Sequence, residues 1–437
     1  MGFPVVQTVL PTHTRGARPV GRRRLPRPSR PSSGVPDASR WTLDPRDNSL
    51  NLIRLGLALI VLVSHSLPLS GRTEPILAGK TPGSWAVVGF FALSGYLITG
   101  SRLRSDGARY LMSRIARILP GYFVSLVVVA FALAPIAYVV ERGTLDGFLT
   151  TSNTPLNFVL GNALLKVQDY SVAGTLADVP YAYSWNGSLW SLYFEFLCYA
   201  IIGVAAIVPV VRRSPWPIVA MFVVSVVVQA QMPTLASYAG GSYEFTRLAG
   251  LLPFFLGGAV VFVLKERCPL RWYFAVAAAV VALGVVAMQP DWGAQLTAPL
   301  FTYALLWVAS ALPSPDLAKT HDLSYGVYVY AWPVTQMLVL LGVARLGWGP
   351  LVVVTTVATL VLASLSWLLV ERPAKELMSR RPAAGHRPAQ PAVPQLRSAG
   401  QEVAATPESR ASQSPLGVRT PSDTCEQPVP RIVPVGI

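Results

Sequence analysis

The chain has 437 residues, of which 52% are hydrophobic and only 13% are charged, and its formal net charge at pH 7 is +15. This composition excludes a large soluble domain and indicates a membrane protein with many spans. The positive charge does not indicate nucleic-acid binding, because most of it lies in two tails. Residues 1–46 hold nine Arg and two Asp, and residues 372–437 hold nine basic and five acidic residues.

The two tails, residues 1–47 and 376–437, are rich in Pro, Ser, Ala and Arg and lack hydrophobic periodicity. Such segments cannot bury a core, so we expect both to be disordered and to contact anionic lipid headgroups. No long apolar run precedes residue 50, which argues against a cleavable signal peptide. We therefore expect a basic N-terminal tail, a transmembrane domain at 48–375 and a C-terminal tail.

Ten runs between the tails are long and apolar enough to cross a bilayer. They lie at about 50–70, 84–101, 119–140, 187–210, 216–232, 247–265, 272–289, 296–312, 323–344 and 348–370. The connection after the second run holds five Arg against one Asp, and the alternate connections that follow are also basic. By the positive-inside rule these connections are cytoplasmic, and the long connection at 141–185 is outside. The predicted fold is an all-α polytopic membrane protein with about ten transmembrane helices and both termini in the cytoplasm.

The first run places Arg54 and His65 eleven residues apart, with only uncharged residues between them. On a helix this spacing returns to within about 20° of the same face, and the two residues lie roughly 16 Å apart along the axis. Arg54 then lies near the cytoplasmic surface, where an arginine can snorkel to the headgroups and mark orientation. His65 lies deep, where imidazole can serve as a general base or can merely hydrogen-bond between helices.

Two further arginines precede the third run. Arg114 and Arg117 lie three residues apart, on neighbouring positions of a helix and at the same membrane side as Arg54. Three guanidinium groups at this place can bind phosphates. The positive-inside rule alone also accounts for arginines here, so both interpretations stay open.

The fourth run contains one acidic residue, Glu195, which we expect about 12 to 14 Å below the outer surface. This depth is close to that expected for His65, so the two side chains can meet. A buried carboxylate costs about 2.5 to 3.5 kcal/mol on insertion scales and therefore needs a partner or a function. The alternative is a structural hydrogen bond between helices. Ser188 lies seven residues earlier, on the same helical face.

Six motifs occur in order along these runs: Arg with His eleven residues later, GFFALSGYLITGSRL, RIAR, NGSLWSLYFEF, LSYGVYVYAWPV and WLLVERP. Over about residues 48–375 the chain resembles the acyltransferase 3 family of integral membrane acyltransferases. The resemblance implies transfer of an acyl group, first of all acetyl, from acyl-CoA to a hydroxyl of a glycan, a lipid-linked sugar or a small secreted molecule. The implied partners are the lipid bilayer, acyl-CoA as co-substrate and a carbohydrate or other hydroxyl acceptor.

The same resemblance implies that His65 and Glu195 are catalytic and that Arg54, Arg114 and Arg117 bind the acyl-CoA donor. Glu195 would orient His65 and stabilise its imidazolium, as carboxylates do beside other histidine bases. Candidate supporting residues within these motifs are Asn186, Ser188, Tyr325 and Glu371. No bound cofactor is expected, and the three scattered cysteines indicate no zinc or other metal site.

One position departs from the family. Many members have a histidine before the aromatic-Pro pair of the LSYGVYVYAWPV motif, where this chain has Ala331, so no catalytic role is carried over to that position. Two other classes stay open: a secondary transporter, and a noncatalytic membrane component of a surface-glycan pathway. We find no internal repeat of the kind that many transporters have, which favours the enzyme. We expect a bacterial cell membrane as its location, and the sequence does not indicate the oligomeric state.

Overall fold

The computed structural model of the chain describes residues 48–238, 240–313, 315 and 321–379. The predictions for the two tails lie outside these residues, except that 376–379 continue the last helix. The described part of the chain is helical and contains no β-strand, only an isolated bridge between Leu77 and Lys80.

A helix lies in each of the ten predicted runs. In chain order the ten are α1 (Leu50–Leu69), α2 (Pro82–Arg104), α3 (Gly107–Arg142), α4 (Trp190–Ala205), α5 (Trp216–Ala230), α6 (Tyr243–Leu264), α7 (Trp272–Met288), α8 (Ala298–Ala311), α9 (Ser324–Leu340) and α10 (Trp348–Met378). Short helices lie between them at Pro155–Gly161, Pro209–Arg213, Met232–Tyr238, Gly293–Leu296 and Val343–Leu346.

Five of the ten helices, α1, α2, α3, α6 and α10, are long and apolar enough to cross a membrane. Large apolar side chains also form an exposed stripe along α10, at the four-residue spacing of one helical face. The stripe consists of Val353, Val357, Val361 and Leu365, each between 48% and 63% exposed. Exposing an apolar face of this length to water is unfavourable. This stripe and the five long apolar helices indicate a membrane protein.

The third helix begins twelve residues before the predicted apolar run. Asp106 caps it, because its carboxylate accepts the backbone N–H of Arg109 at 2.8 Å. The helix widens into a π-helical turn at Val129–Leu133 and ends at Gly143, whose φ of 78° suits a residue without a Cβ. The early turns of this helix carry the predicted arginines Arg114 and Arg117. Hydropathy alone does not detect these turns.

The packing of the helices places α1 between α2 and α9, while α9 also packs against α10 and α2 packs along α6. The α2–α6 contact depends on glycine. A Cβ at Gly95 would overlap the backbone of Phe255, and a Cβ at Gly258 would overlap the backbone of Ala92. Backbones that approach this closely form a rigid pair, against which α1 lies.

The connection between α3 and α4, residues 143–189, is named the long loop. Its turn after Pro155–Gly161 is held by Asn162, whose side-chain oxygen accepts the N–H groups of Gln168 and Asp169 at 2.8 and 3.1 Å. The Tyr122 hydroxyl of α3 donates to the Asn162 carbonyl at 2.7 Å. These bonds stabilise the turn and attach the long loop to α3.

Candidate active site

His65 lies four residues before the end of α1, beside the first turn of α2. A Cβ at Gly83 would lie 3.5 Å from its Cε1 atom, so the half-buried ring packs on the backbone of that turn. The ring of Trp332 contacts it edge-on, with 5.1 Å between centroids. The preceding residue, Ser64, accepts the Gly83 N–H at 2.7 Å and donates to Glu74. Neither nitrogen of His65 has a hydrogen-bond partner among the described residues, so both are free for a substrate.

The end of the long loop is fastened to α9 beside this histidine. The Trp332 indole N–H donates to the Ser184 carbonyl at 2.9 Å, and the Gln336 amide donates to the same carbonyl at 2.8 Å. The Tyr328 hydroxyl donates to the Ser188 carbonyl at 2.8 Å. Gly187 lies against the Trp332 ring, where a Cβ would overlap the ring atoms. Residues 184–188, which contain the start of the NGSLWSLYFEF motif, are therefore held in one position next to Trp332.

Two polar side chains of this segment lack partners. Asn186 is 1% exposed and Ser188 is 2% exposed. Neither polar atom of the Asn186 amide, nor the Ser188 hydroxyl, forms a hydrogen bond within the described ranges. Leaving a buried polar group unpaired costs about 1 to 3 kcal/mol, so each is a donor available to a bound molecule.

Two of the predicted donor-binding arginines meet at the other end of α1. Arg54 of α1 and Arg117 of α3 both donate to Oδ2 of Asp322, at 2.8 and 2.7 Å. The Ser324 hydroxyl donates to Oδ1 of the same carboxylate at 2.6 Å. Each guanidinium uses one nitrogen for this contact and has five N–H groups, which leaves donors for a further anion.

Asp322 was missed by the analysis of the sequence. Burial opposes its ionisation, but the charges of Arg54 and Arg117 more than offset burial and hold the pKa of this carboxyl well below its usual range. Arg114, the third predicted arginine, lies one turn before Arg117 and donates to the neighbouring Ser113 hydroxyl at 3.2 Å. It forms no ion pair with any described residue.

A cavity of about 30 Å³ begins at Arg54 and lies between α1, α2, α4 and α9. It reaches Val87, one helical turn after Gly83, but His65 is not among its lining residues. Its walls are mostly apolar, with a few polar groups. The lining residues are Arg54, Val87, Phe90, Phe91, Ser191, Leu192, Glu195, Ser324, Tyr325 and Tyr328.

Glu195 lies in the wall of this cavity and does not hydrogen-bond to His65. Its Oε1 atom accepts the Ser94 hydroxyl of α2 at 2.6 Å and the Tyr199 hydroxyl at 2.5 Å. Its charge also acts on Arg54, Arg114 and Arg117. The structure thus does not bring the expected pair together, because equal depth on two helices does not set their lateral separation.

Comparison with known proteins shows the family of the chain. The acyltransferase domain that defines the acyltransferase 3 family matches residues 47–369. The chain belongs to this family. It is 28% identical over 340 residues to a protein named O-acetyl transferase from Shigella phage Sf6, which covers 75% of this chain and 96% of the phage protein. It is 27% identical over 360 residues to Nodulation protein 10 of Rhizobium leguminosarum bv. viciae, covering 76% and 94% of the two chains.

No solved structure matches this acyltransferase. The family identifies it as an acyltransferase, as the motifs predict.

Ala331 of the acyltransferase lies in the helix contact between α9 and α1. It is 5% exposed and packs in an apolar cluster with Ala58, Leu62, Val327 and Ala363. The side chain at this position is thus surrounded by apolar groups and does not line the cavity.

Two candidate supporting residues lie near the arginine cluster, Arg54 and Arg117, of the acyltransferase. The Tyr325 hydroxyl donates to the Ile118 carbonyl of α3 at 2.6 Å. Glu371 is 2% exposed and accepts the Ser366 hydroxyl at 3.2 Å. Gly121 of α3 lies against both side chains, so these residues join α3 to α9 and α10 at the Arg54 end.

Proposed function

We propose that the protein is a membrane O-acyltransferase that moves an acetyl group from acetyl-CoA to a hydroxyl of a glycan or another acceptor. The observation that carries the proposal is the arrangement along α1. Arg54 and Arg117 form an arginine cluster at one end, His65 with free nitrogens lies near the other, and a small cavity lies beside Arg54. Arg54 and His65 are roughly 16 Å apart along the helix, a distance that the pantetheine arm of coenzyme A can bridge.

In this proposal all ten helices cross a bacterial cell membrane and both termini are cytoplasmic. The Arg54 end then faces the cytoplasm, which supplies acyl-CoA, and the long loop faces the outside. The basic connections at 102–118 and 265–271 support this orientation by the positive-inside rule. Arg54, Arg114 and Arg117 would hold the donor phosphates through charge-assisted hydrogen bonds.

Acyl transfer needs a general base and a hydrogen-bond donor to the carbonyl oxygen of the thioester. A ring nitrogen of His65 accepts the proton of the acceptor hydroxyl while the hydroxyl oxygen attacks the thioester carbonyl carbon. Negative charge then develops on the carbonyl oxygen, and the unpaired Asn186 amide is a suitable donor to it. The carbon–sulfur bond breaks, and the departing thiolate takes the proton from the imidazolium. The products are the acyl ester and free coenzyme A.

The test uses purified protein in detergent with radiolabelled acetyl-CoA. Wild type should transfer or hydrolyse the acetyl group, and His65→Ala should be slower by about 10² to 10⁴, the usual contribution of a general base. Both proteins should elute as the same monodisperse species, which controls for folding. A His65→Ala variant with near wild-type turnover would remove the histidine from the mechanism. Uptake into vesicles without any acyl transfer would indicate a transporter instead.

A further inference from the structure

The His65 end of the molecule carries two cations without a carboxylate partner. Lys80 lies just before α2, and Arg247 lies about one turn into α6. The Arg247 guanidinium is stacked on two aromatic rings, 5.0 Å from the centroid of Trp190 and 5.1 Å from that of Tyr243. Across the part of the chain that the structure describes, neither cation forms an ion pair. Stacking holds the guanidinium in place and leaves its edge for another group.

The helices α2 and α6 run parallel, since Gly95 lies against Phe255 and Gly100 lies against Phe262. Lys80, just before α2, and Arg247, in the first turns of α6, therefore lie at the same end of this helix pair. Burial, and then the neighbouring charge of Arg247, lower the pKa of the Lys80 ammonium. Acidic side chains of the same region are engaged elsewhere, since Glu244 pairs with Lys166 at 2.6 Å and Glu74 accepts the hydroxyl next to His65. The positive charges of Lys80 and Arg247 repel each other, and an anion bound between them would offset this repulsion.

The segment that precedes α4 connects the surroundings of Arg247 with those of the histidine. Arg247 is stacked on Trp190, two residues after Ser188, whose carbonyl is bonded to Tyr328, while the Ser184 carbonyl is bonded to Trp332. The ring of Tyr181, 44% exposed, contacts the ring of Trp332 edge-on at 5.3 Å between centroids. Trp332 in turn contacts His65. Lys80 also lies only three residues before Gly83, the residue against which the His65 ring packs, so the cations and the histidine share one end of the molecule.

We propose that Lys80 and Arg247 bind an anionic group, phosphate or carboxylate, carried by the acceptor whose hydroxyl reaches His65. This proposal rests on the proposed function. A guanidinium and an ammonium together satisfy the oxygens of such an anion, and the tyrosine rings pack against the apolar face of the acceptor. The acceptor is thus an acidic molecule, and the cations select it over its neutral counterpart.

The experiment compares three matched probes: α-D-glucose 1-phosphate, methyl α-D-glucopyranosiduronate and neutral methyl α-D-glucopyranoside. Binding is measured by calorimetry without any donor, on wild type and on the double variant Lys80→Gln/Arg247→Gln. Wild type should bind the anionic probes, and the double variant should bind them about tenfold more weakly, as expected for losing a charge-assisted hydrogen bond. Higher salt should weaken wild-type binding in the same direction. The better of the two anions identifies the group that the acceptor carries.

The control variant is Arg345→Gln, which removes an exposed cation from the connection between α9 and α10. It should bind all probes like wild type. Wild-type binding of the neutral probe as tight as that of the anions, or equal weakening in Arg345→Gln and the double variant, would overturn the proposal. Acetyl transfer and acetyl-CoA hydrolysis are measured separately on wild type. Absence of both would refute the proposed function but would leave the calorimetric result on the anion site standing.

Discussion

Asp322→Asn removes the negative charge between Arg54 and Arg117 but keeps the side-chain size and the hydrogen bond from Ser324. The carboxylate is 9% exposed, and the two arginine side chains are 14% and 20% exposed. Removing one partner of a buried ion pair costs about 3 to 5 kcal/mol, because the remaining charge stays buried without compensation. Since the arginines keep some access to solvent, we expect a loss near the lower end of this range. The apparent Michaelis constant for acetyl-CoA should rise as well, because the two guanidinium groups are no longer aligned.

The matched control is Asp106→Asn. Asp106 pairs with Arg109 at 3.7 Å, and the two side chains are 63% and 66% exposed, so solvent screens this pair and it contributes little to stability. Asparagine also replaces aspartate well as a helix cap. Denaturant titration in mixed micelles, in the same detergent for all proteins, measures the free energy of unfolding. Equal and small losses in the two variants would refute the argument that Asp322 organises the arginine cluster.

The pH dependence of this loss has a definite sign. The arginines lower the pKa of Asp322, so its stabilising charge is present at neutral pH and is lost only as pH falls below the usual range of aspartate. The difference in unfolding free energy between wild type and Asp322→Asn should therefore stay constant from about pH 8 to pH 5. It should shrink only on stronger acidification.

Two further changes separate the contacts of the site. Glu195→Gln should leave the pH dependence of kcat unchanged, because Glu195 is bonded to Ser94 and Tyr199 rather than to His65. The free energy of unfolding should fall by about 1.5 to 3 kcal/mol. A pH–rate profile moved to lower pH would instead support a catalytic pair of His65 and Glu195. Gly187→Ala should reduce acetyl transfer about tenfold or more, because its Cβ would enter the Trp332 ring. Gly284→Ala, whose Cβ would meet no atom within 4 Å, should keep wild-type activity, and equal activity of the two variants would contradict the close packing at Gly187.

The positions of the helices could be predicted from the sequence wherever hydropathy alone decides them. The first run was expected at about 50–70 and the helix lies at Leu50–Leu69. The fourth was expected to begin at 187, but the helix begins at Trp190, because the preceding residues are bonded to α9 as part of the long loop. The third begins earlier than expected, since its first turns are amphipathic and a hydropathy window passes over them.

The site was predictable only in part, for a reason that concerns sequence distance. Arg54 and Arg117 were recognised as one cluster because both lie at the same end of their helices. Asp322 is 268 residues from Arg54, and no local pattern indicates that it would join them. Depth along a helix likewise placed Glu195 near the level of His65 but could not place it laterally, and the structure gives its hydrogen bonds to Ser94 and Tyr199.

The volume of the cavity beside Arg54, about 30 Å³, is enough for an ordered water molecule but not for the pantetheine arm of a donor. Binding of the proposed donor would therefore separate helices, and their packing decides which ones. The backbones of α2 and α6 are in direct contact at Gly95 and Gly258, so parting them would lose contacts along the whole interface. The walls formed by α4 and α9 are joined instead by hydroxyl contacts, such as Ser191 with Tyr328, which can exchange partners with a ligand. Acetyl-CoA should accordingly change backbone hydrogen exchange in α4 and α9, and a change confined to α2 and α6 would contradict this argument.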